Sequence, residues 1–394
     1  MACMNGLACI TNSPHRTQQD PRQASVSVVI PTYNGSPYID QTLQSVFNQT
    51  QPPQEIIVVD DASTDDTVER VKRIAQRWPI PLKLIQRATN SGSPAAPMNA
   101  GIATARGDLI AVLDQDDVFA PRKIELQRRI LCDHPDVGFV AAMCGRLDQP
   151  DREAQRTKLR RRAAALTRNM TAAGGYYLCD GNTAFRLFVR HENFVTGFPG
   201  FMFRRALWEA KGGLDERLAV ASDYGFLCWM CTAARMAFVA DIHYLRREHM
   251  SNLSRHETRR LADVVAVLAK HVDACGEPRR QRQIRRALAE KLMRMALYFG
   301  IFRNWREAYC LWAMTTRIDR SFGGVCRSIL LGLRVPHRAL RHRQRSSLQR
   351  SSRHELQQTI ETLHLLLAAA GLLPPQNHQS AFLLENCNHD SPHT

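Results

Sequence analysis

Three carboxylates within four residues, Asp114-Gln115-Asp116-Asp117, follow directly on the run Leu109-Ile110-Ala111-Val112-Leu113. A short apolar run of this kind reads as a buried strand, so the acidic residues stand at its carboxyl end. Carboxylates with one residue between them suit a hard divalent cation. Mg2+ or Mn2+ takes oxygen ligands and is commonly held by one or two carboxylates plus substrate phosphates. The same residues also suit a solvated acidic turn ahead of a helix opened by Ala120-Pro121. Two further features could do chemistry. Asp60-Asp61 ends a second apolar run, and Asp223 follows Ser222 at the head of a helical stretch, where it could serve as a helix cap or as a base.

The elements that must position these groups alternate along the first third of the chain. Val26–Ile30 reads as a buried strand closed by Pro31-Thr32-Tyr33-Asn34-Gly35, and Tyr38–Asn48 has helical spacing through Ile39, Leu43, Val46 and Phe47. A second strand, Glu55–Val59, runs into Asp60-Asp61. A helix capped near Ser63–Thr67 then extends to Trp78. Leu82–Ile85 is a third strand, Ala95–Ala105 a third helix ended at Arg106-Gly107, and the 109–113 strand follows. Such alternation predicts a parallel sheet with right-handed crossovers, and ligands of such sheets bind beyond the carboxyl ends of the strands. Asn34, Asp60, Asp61 and the 114–117 carboxylates all fall at those ends. A G-x-G-x-x-G after the first strand is absent, as is G-x-x-x-x-G-K-[ST], which argues against a dinucleotide dehydrogenase and a P-loop nucleotidase. An acidic strand end suited to a metal, and hence to a diphosphate, remains.

Four blocks in this order resemble the family 2 inverting glycosyltransferases of the GT-A fold: Val26–Gly35, Ile56–Thr67, Asn99–Ile102 and Ala105–Asp117. Gly200–Arg205 with Gly212–Glu216, Ala221–Tyr224, and Arg247-Glu248-His249 with Asn252–Ser254 continue the resemblance, which spans roughly residues 26–255. It implies a mixed, mostly parallel α/β sheet flanked by helices. It also implies transfer of a sugar from a nucleotide-diphosphate sugar to a hydroxyl of a glycan or lipid-linked acceptor. Pro31, Tyr33, Asn34, Asp61 and Asn99 would then contact the donor, the nucleobase falling to Pro31, Tyr33 and Asp61. Asp114 and Asp116 would hold ribose and diphosphate. Asp116, Asp117 and His249 would hold the metal, and Asp223 would act as general base. Two positions depart from the family pattern. Ser222 stands where a Glu is common, and Pro97-Met98-Asn99 replaces Ala-Arg-Asn, so Arg87 or Arg106 would have to supply the missing cation. A catalytically silent GT-A scaffold that binds a membrane or polyanion is the competing reading.

The chain has 394 residues and a formal net charge of +16. Nineteen basic residues against three acidic ones lie between Arg279 and Arg353, so the rest of the chain is balanced. The eleven cysteines are odd in number and irregularly spaced, without a signal peptide, which favours a reducing cytoplasm. Cys228-Trp229-Met230-Cys231, in an apolar helical run with no second pair, reads as packed core. The sequence divides into a polar lead-in (1–24), an α/β domain (25–255) with an insert at about 146–193, a basic helical region (256–373) and a polar tail (374–394). The insert, with its basic run Arg152–Arg168, reads as a flap over the donor, an acceptor-docking element or a solvated helix. No apolar run reaches the ~18–20 residues of a spanning helix. The basic C-terminal helices suit peripheral contact with an anionic membrane on the inner face of the plasma membrane, and nucleic acid is not expected.

Overall fold

A computed structural model of the protein describes residues 24–149, 151–191, 197–250, 252–253, 257–273 and 278–301, together with Leu311, Met314, Thr315 and Ile318. The lead-in, the helices expected beyond 301 and the tail lie outside the described residues, apart from Ala24 and those last four.

The expected alternation is present. Strands β1 (Val26–Thr32), β2 (Glu55–Asp60), β3 (Leu82–Gln86) and β4 (Leu109–Val112) pair in parallel in the order β3-β2-β1-β4, with Val29 opposite Ile57 on one side and Val112 on the other. Helices α1 (Ile39–Phe47), α2 (Thr67–Ala75) and α3 (Ala95–Thr104) make the crossovers. All seven residues of β1 are buried because the strand is covered on both faces. Alternate residues serve opposite cores. Val28, Ile30, Ile56 and Val58 pack with Leu43 and Val46 of α1, while Val29, Ile57 and Val59 pack with Met98 and Ile102 of α3. Gly101 is required by that second packing, since a Cβ there would lie 2.5 Å from Val29 Cγ1 and 3.0 Å from Val59 Cγ2.

Beyond β4 the sheet becomes mixed. A two-residue strand, β5 (Val118–Phe119), leads to α4 (Lys123–Asp133), and β6 (Val137–Arg146) follows. After β6 come α5 (Arg152–Leu166), the hairpin β7 (Thr171–Ala172) and β8 (Tyr177–Cys179), and α6 (Gly181–His191). Strand β9 (Phe201–Arg204) then inserts antiparallel between β4 and β6. It is followed by α7 (Arg205–Lys211), α8 (Ser222–Ala233), β10 (Arg235–Arg246), α9 (Glu257–Asp273) and α10 (Pro278–Ile301). The full order is β3-β2-β1-β4-β9-β6-β10-β8-β7, with β5 on the end of β10.

Part of the insert packs into the domain. Its hairpin extends the sheet from β10, and its helix α6 buries Phe185 and Phe188 in the same core as α8. Cys228 and Cys231 are buried in that core as well. The core continues into α9 and α10 through Leu261, Val264, Leu268, Ile284, Leu288 and Leu292.

Candidate active site

The carboxyl ends of β2, β1 and β4 lie side by side, and the loops leaving them meet the head of α8 and the segment after β10 around a cavity of about 660 Å3. Pro31, Tyr33, Asn34, Asp61, Asp114, Asp116, Asp117, Asp223 and His249 all line it. These residues come from five chain segments, brought together by the parallel topology.

The loop after β1 is tied to its neighbours at every step. Asn34 adopts a left-handed backbone (φ +50°), which Asn tolerates better than most residues. Its side-chain oxygen accepts the N–H of Thr64 at 2.8 Å, joining the β1 and β2 loops. Gln115 clamps the same loop to the acidic turn. Its Oε1 accepts Thr32 Oγ1 at 2.6 Å and Tyr33 N at 2.8 Å, and its Nε2 donates to Tyr33 O at 3.0 Å. The Tyr33 side chain is left 44% exposed at the cavity wall, with an aromatic face open to a planar group.

Asp61 is 4% exposed. Its Oδ2 accepts the backbone N–H and hydroxyl of Ser91, at 2.9 and 2.7 Å. Arg87 Nε lies 2.8 Å from Oδ1 but off the line of its N–H, so the contact is ionic and Oδ1 accepts no hydrogen bond. A buried carboxylate oxygen without a donor is a site for a ligand N–H.

The acidic turn concentrates charge. Burial, followed by the charges of Asp116 and Asp223, pushes the Asp114 carboxyl up to about 7, with Arg246 pulling the other way. Burial, then Asp114 and Asp116, holds Asp117 well above the usual carboxylate range. Asp117 Oδ1 accepts the Arg247 backbone N–H at 3.0 Å. Asp116 Oδ2 meets His249 Nε2 at 2.6 Å and accepts Asn252 Nδ2 at 3.2 Å. The His249 ring stacks on Tyr38 at 4.8 Å, and the Arg247 guanidinium sits 5.0 Å from the same ring while donating to Asp116 O at 3.0 Å. The 246–252 segment is thus laced to the acidic turn.

This donor set fits a divalent ion in part. Crowded carboxylates whose ionisation burial and mutual repulsion oppose would be relieved by a cation, and an Asp–imidazole pair is a plausible ligand set for Mn2+ or Mg2+. Among the described residues no three His, Cys, Asp or Glu side chains converge as a closed metal cage. Asp116 and His249 form an open pair that needs ligands from outside the protein, as phosphate oxygens would supply. Asp117 is the more withdrawn of the three predicted ligands, being 4% exposed with one oxygen engaged.

Asp223 lies in the first turn of α8, where Tyr224 N donates to its Oδ1 at 2.6 Å. Burial raises its carboxyl to about 6, against the opposing pull of that N–H and of Arg260. A carboxyl poised there can take a proton near neutral pH. Ser222 is buried and adds no second carboxylate.

Two expectations are corrected. Asn99 does not line the cavity, because its amide is spent on the 208–216 segment. Its Nδ2 donates to Leu214 O at 3.0 Å and Glu216 Oε1 at 2.8 Å, and its Oδ1 accepts Leu214 N at 2.8 Å and Trp208 Nε1 at 3.2 Å. Arg106 does not line the cavity. Its backbone N–H donates to Glu55 Oε1 at the start of β2, at the amino ends of the strands. Arg87 is held at Asp61, and Met98 itself is a buried part of the wall. Among the described residues, the arginines lining the cavity are Arg246, one residue before the Arg247 of the R-x-H element, and Arg260 from α9. Asn252 was legible within the Asn252–Ser254 element. Arg260 and Asp263 had no local signal, since a helical stripe does not show what its polar face will meet.

Residues 27–194 match the family described as glycosyl transferase family 2. A glycosyltransferase of Haemophilus influenzae, uncharacterised by its own description, is 32% identical over 207 residues, covering 51% of this chain and 60% of its own. The poly(ribitol-phosphate) beta-N-acetylglucosaminyltransferase TarS of Staphylococcus aureus is 40% identical over 93 residues, 23% of this chain and 16% of that protein. The chain thus spans less than two thirds of the relatives it matches. The crystal structure of S. aureus TarS 1–349 with UDP-GlcNAc superposes with a TM-score of 0.53 at 20% identity, over 74% of this chain and 80% of that one. That likeness establishes the GT-A fold.

Proposed function

From a chain whose residues 27–194 match glycosyl transferase family 2 and whose fold is GT-A, we propose a transferase that moves a sugar from a nucleoside diphosphate sugar to a hydroxyl, with inversion. The observation that carries this is the convergence, on one cavity, of the exposed aromatic face of Tyr33, the buried carboxylate of Asp61, an acidic turn at Asp114–Asp117, and a titratable carboxyl at Asp223. Tyr33 offers a stacking face, and Asp61 Oδ1, which ion-pairs with Arg87 but accepts no hydrogen bond, would accept a base N–H. Asp116 and His249, with Asp117 behind them, would hold Mg2+ or Mn2+ together with the donor diphosphate. The ion, when bound, offsets the negative charge of the departing nucleoside diphosphate.

Asp223 takes the proton of the acceptor hydroxyl as its oxygen forms a bond to the anomeric carbon. The bond from that carbon to the diphosphate oxygen breaks with its electron pair on the leaving group. Attack from the face opposite the leaving group inverts the centre. Arg246 remains beside Asp114 and Asp117, where its charge favours their ionised forms.

A glycan or lipid-linked acceptor is part of this reading, and so is peripheral contact with an anionic surface. Arg279, Arg282 and Arg286 of α10 are exposed, while Ile284, Leu288 and Leu292 of the same helix are buried in the core. Its apolar stripe is therefore already used, which leaves attraction by charge alone. No helix among the described residues is long and apolar enough to cross a membrane. Flotation with phosphatidylserine vesicles at low salt, and release at high salt, tests that contact.

The enzymatic reading is tested by incubating the full chain with UDP-GlcNAc, UDP-glucose or GDP-mannose without acceptor. Release of the nucleoside diphosphate that needs Mn2+ or Mg2+ and is lost in Asp116→Ala supports it. Absence of release and of binding with every donor would favour a silent scaffold.

A further inference from the structure

The head of α8 has no cap of its own. Ala221 stands at its N-cap without a side-chain hydrogen bond, although the first N–H groups of a helix always need outside partners. The residues that lead into it are anchored from another helix. Asp263, in the second turn of α9, uses a single oxygen, Oδ2, to accept the N–H of Val220 at 2.7 Å and of Ala221 at 3.0 Å. Those are the two residues that lead into α8 at Ser222. Two charge-assisted hydrogen bonds converging on one oxygen fix both the direction and the height of the turn they enter.

That turn carries Asp223. Its carboxylate is held only two residues beyond the anchored amides, by the 2.6 Å bond from Tyr224 N, so its position in the cavity follows the pitch of the first turn. Arg260, three residues before Asp263 on the same helix, lines the cavity and favours the charged form of Asp223. Helix α9 lies outside the family match at 27–194, yet one of its faces fills the core through Leu261, Val264 and Leu268 while the other reaches the reacting end of the cavity.

We propose that Asp263 is a positioning residue for the general base. It sets Asp223 against the acceptor oxygen by anchoring the Val220–Ala221 backbone from α9, and so ties the helical C-terminal region to turnover. This rests on the reading of Asp223 as the base. A displacement of about 1 Å at a reacting group can cost up to a hundredfold in rate.

The test uses the full chain and donor hydrolysis with Mn2+, on whichever of UDP-GlcNAc, UDP-glucose and GDP-mannose is turned over. Asp263→Ala removes the anchor and should lower kcat at least tenfold while donor KM stays within twofold. Asp263→Asn retains an acceptor oxygen and should keep kcat within threefold of the parent. Asp263→Glu keeps charge and acceptor but shifts the oxygen by roughly one bond length, ~1.5 Å, and should lower kcat even if the Ala variant fails to fold. Amide hydrogen exchange at Val220 and Ala221 should accelerate in the Ala variant and stay slow in Asn. Unchanged kcat in both Asp263→Ala and Asp263→Glu would overturn the proposal, as would an Asn variant as slow as Ala. Asp223→Asn is run alongside. If it retains turnover, the base assignment fails, and that result is separate from any result at Asp263.

Discussion

The pH dependence of turnover follows from the Asp223 environment. Burial raises this carboxyl to about 6, and the base must be ionised to accept a proton. With a pKa of about 6, roughly nine-tenths of the molecules carry the charged form at pH 7 and roughly one-tenth at pH 5. The rate at saturating donor should therefore fall about tenfold between pH 7 and pH 5. An ordinary exposed aspartate, titrating near 3.9, would leave it almost unchanged over that range. Among the described residues, the charged and titratable groups facing Asp223 are Asp114 across the cavity, Arg260 and Asp263 on α9, and Cys228 on α8, whose thiol burial holds up at about 12. Removing the Arg260 charge, as in Arg260→Gln, takes away a group that favours the ionised base and should move the acid limb to higher pH. The assay is release of nucleoside diphosphate across pH 4.5–8 in a constant-ionic-strength buffer, with donor saturation confirmed at each pH. A flat profile down to pH 5, or an acid limb unmoved by Arg260→Gln, would refute the reasoning.

Asp114 makes a separate prediction about stability. Its folded carboxyl is raised to about 7, so between about pH 4 and pH 7 the folded chain keeps a proton that the unfolded chain has given up. The metal-free protein should lose stability as pH rises through that window, and thermal unfolding of Asp114→Asn should show a flatter dependence with a higher Tm at pH 8. His249→Ala and Asn252→Ala each remove a neighbour of Asp116 Oδ2, and should raise the Mn2+ concentration for half-maximal hydrolysis on the order of tenfold or more. Gly101→Ala places a Cβ 2.5 Å from Val29 Cγ1, and urea unfolding should show a loss of about 1–3 kcal/mol with the slope unchanged.

Strands β1, β2 and β4 were legible because a parallel strand covered on both faces is mostly apolar, so a polar run marks its end. Asp60-Asp61 and Asp114–Asp117 stand at two of those ends, and a parallel sheet brings such ends to one side. What the side chains do there was less legible. Asn99 sits in a block shared with donor-binding enzymes, but its amide faces the Leu214 backbone, and spacing along a helix does not show which neighbour arrives at that face. Strand β9, antiparallel to β4 and β6, and strand β10, parallel to β6, depend on pairing between segments up to about a hundred residues apart, which local periodicity does not encode. Asp263 escaped for the same reason. A carboxylate on the polar side of an amphipathic helix reads as solvated until the backbone of Val220 and Ala221 is seen against it.

In the proposed function, the cavity between Asp61 and Asp223 holds a nucleoside diphosphate sugar with a divalent ion. Thermal-shift measurement of the full chain with UDP-, GDP-, dTDP- and CMP-sugars, each with and without Mn2+, addresses it directly. A ligand bound only by the folded state adds about 2.7 kcal/mol at a hundredfold excess over Kd. The expected result is a rise in Tm for one nucleotide class that requires Mn2+ and disappears in Asp116→Ala. No rise with any nucleotide sugar, or a rise that survives both removal of the metal and loss of Asp116, would contradict it.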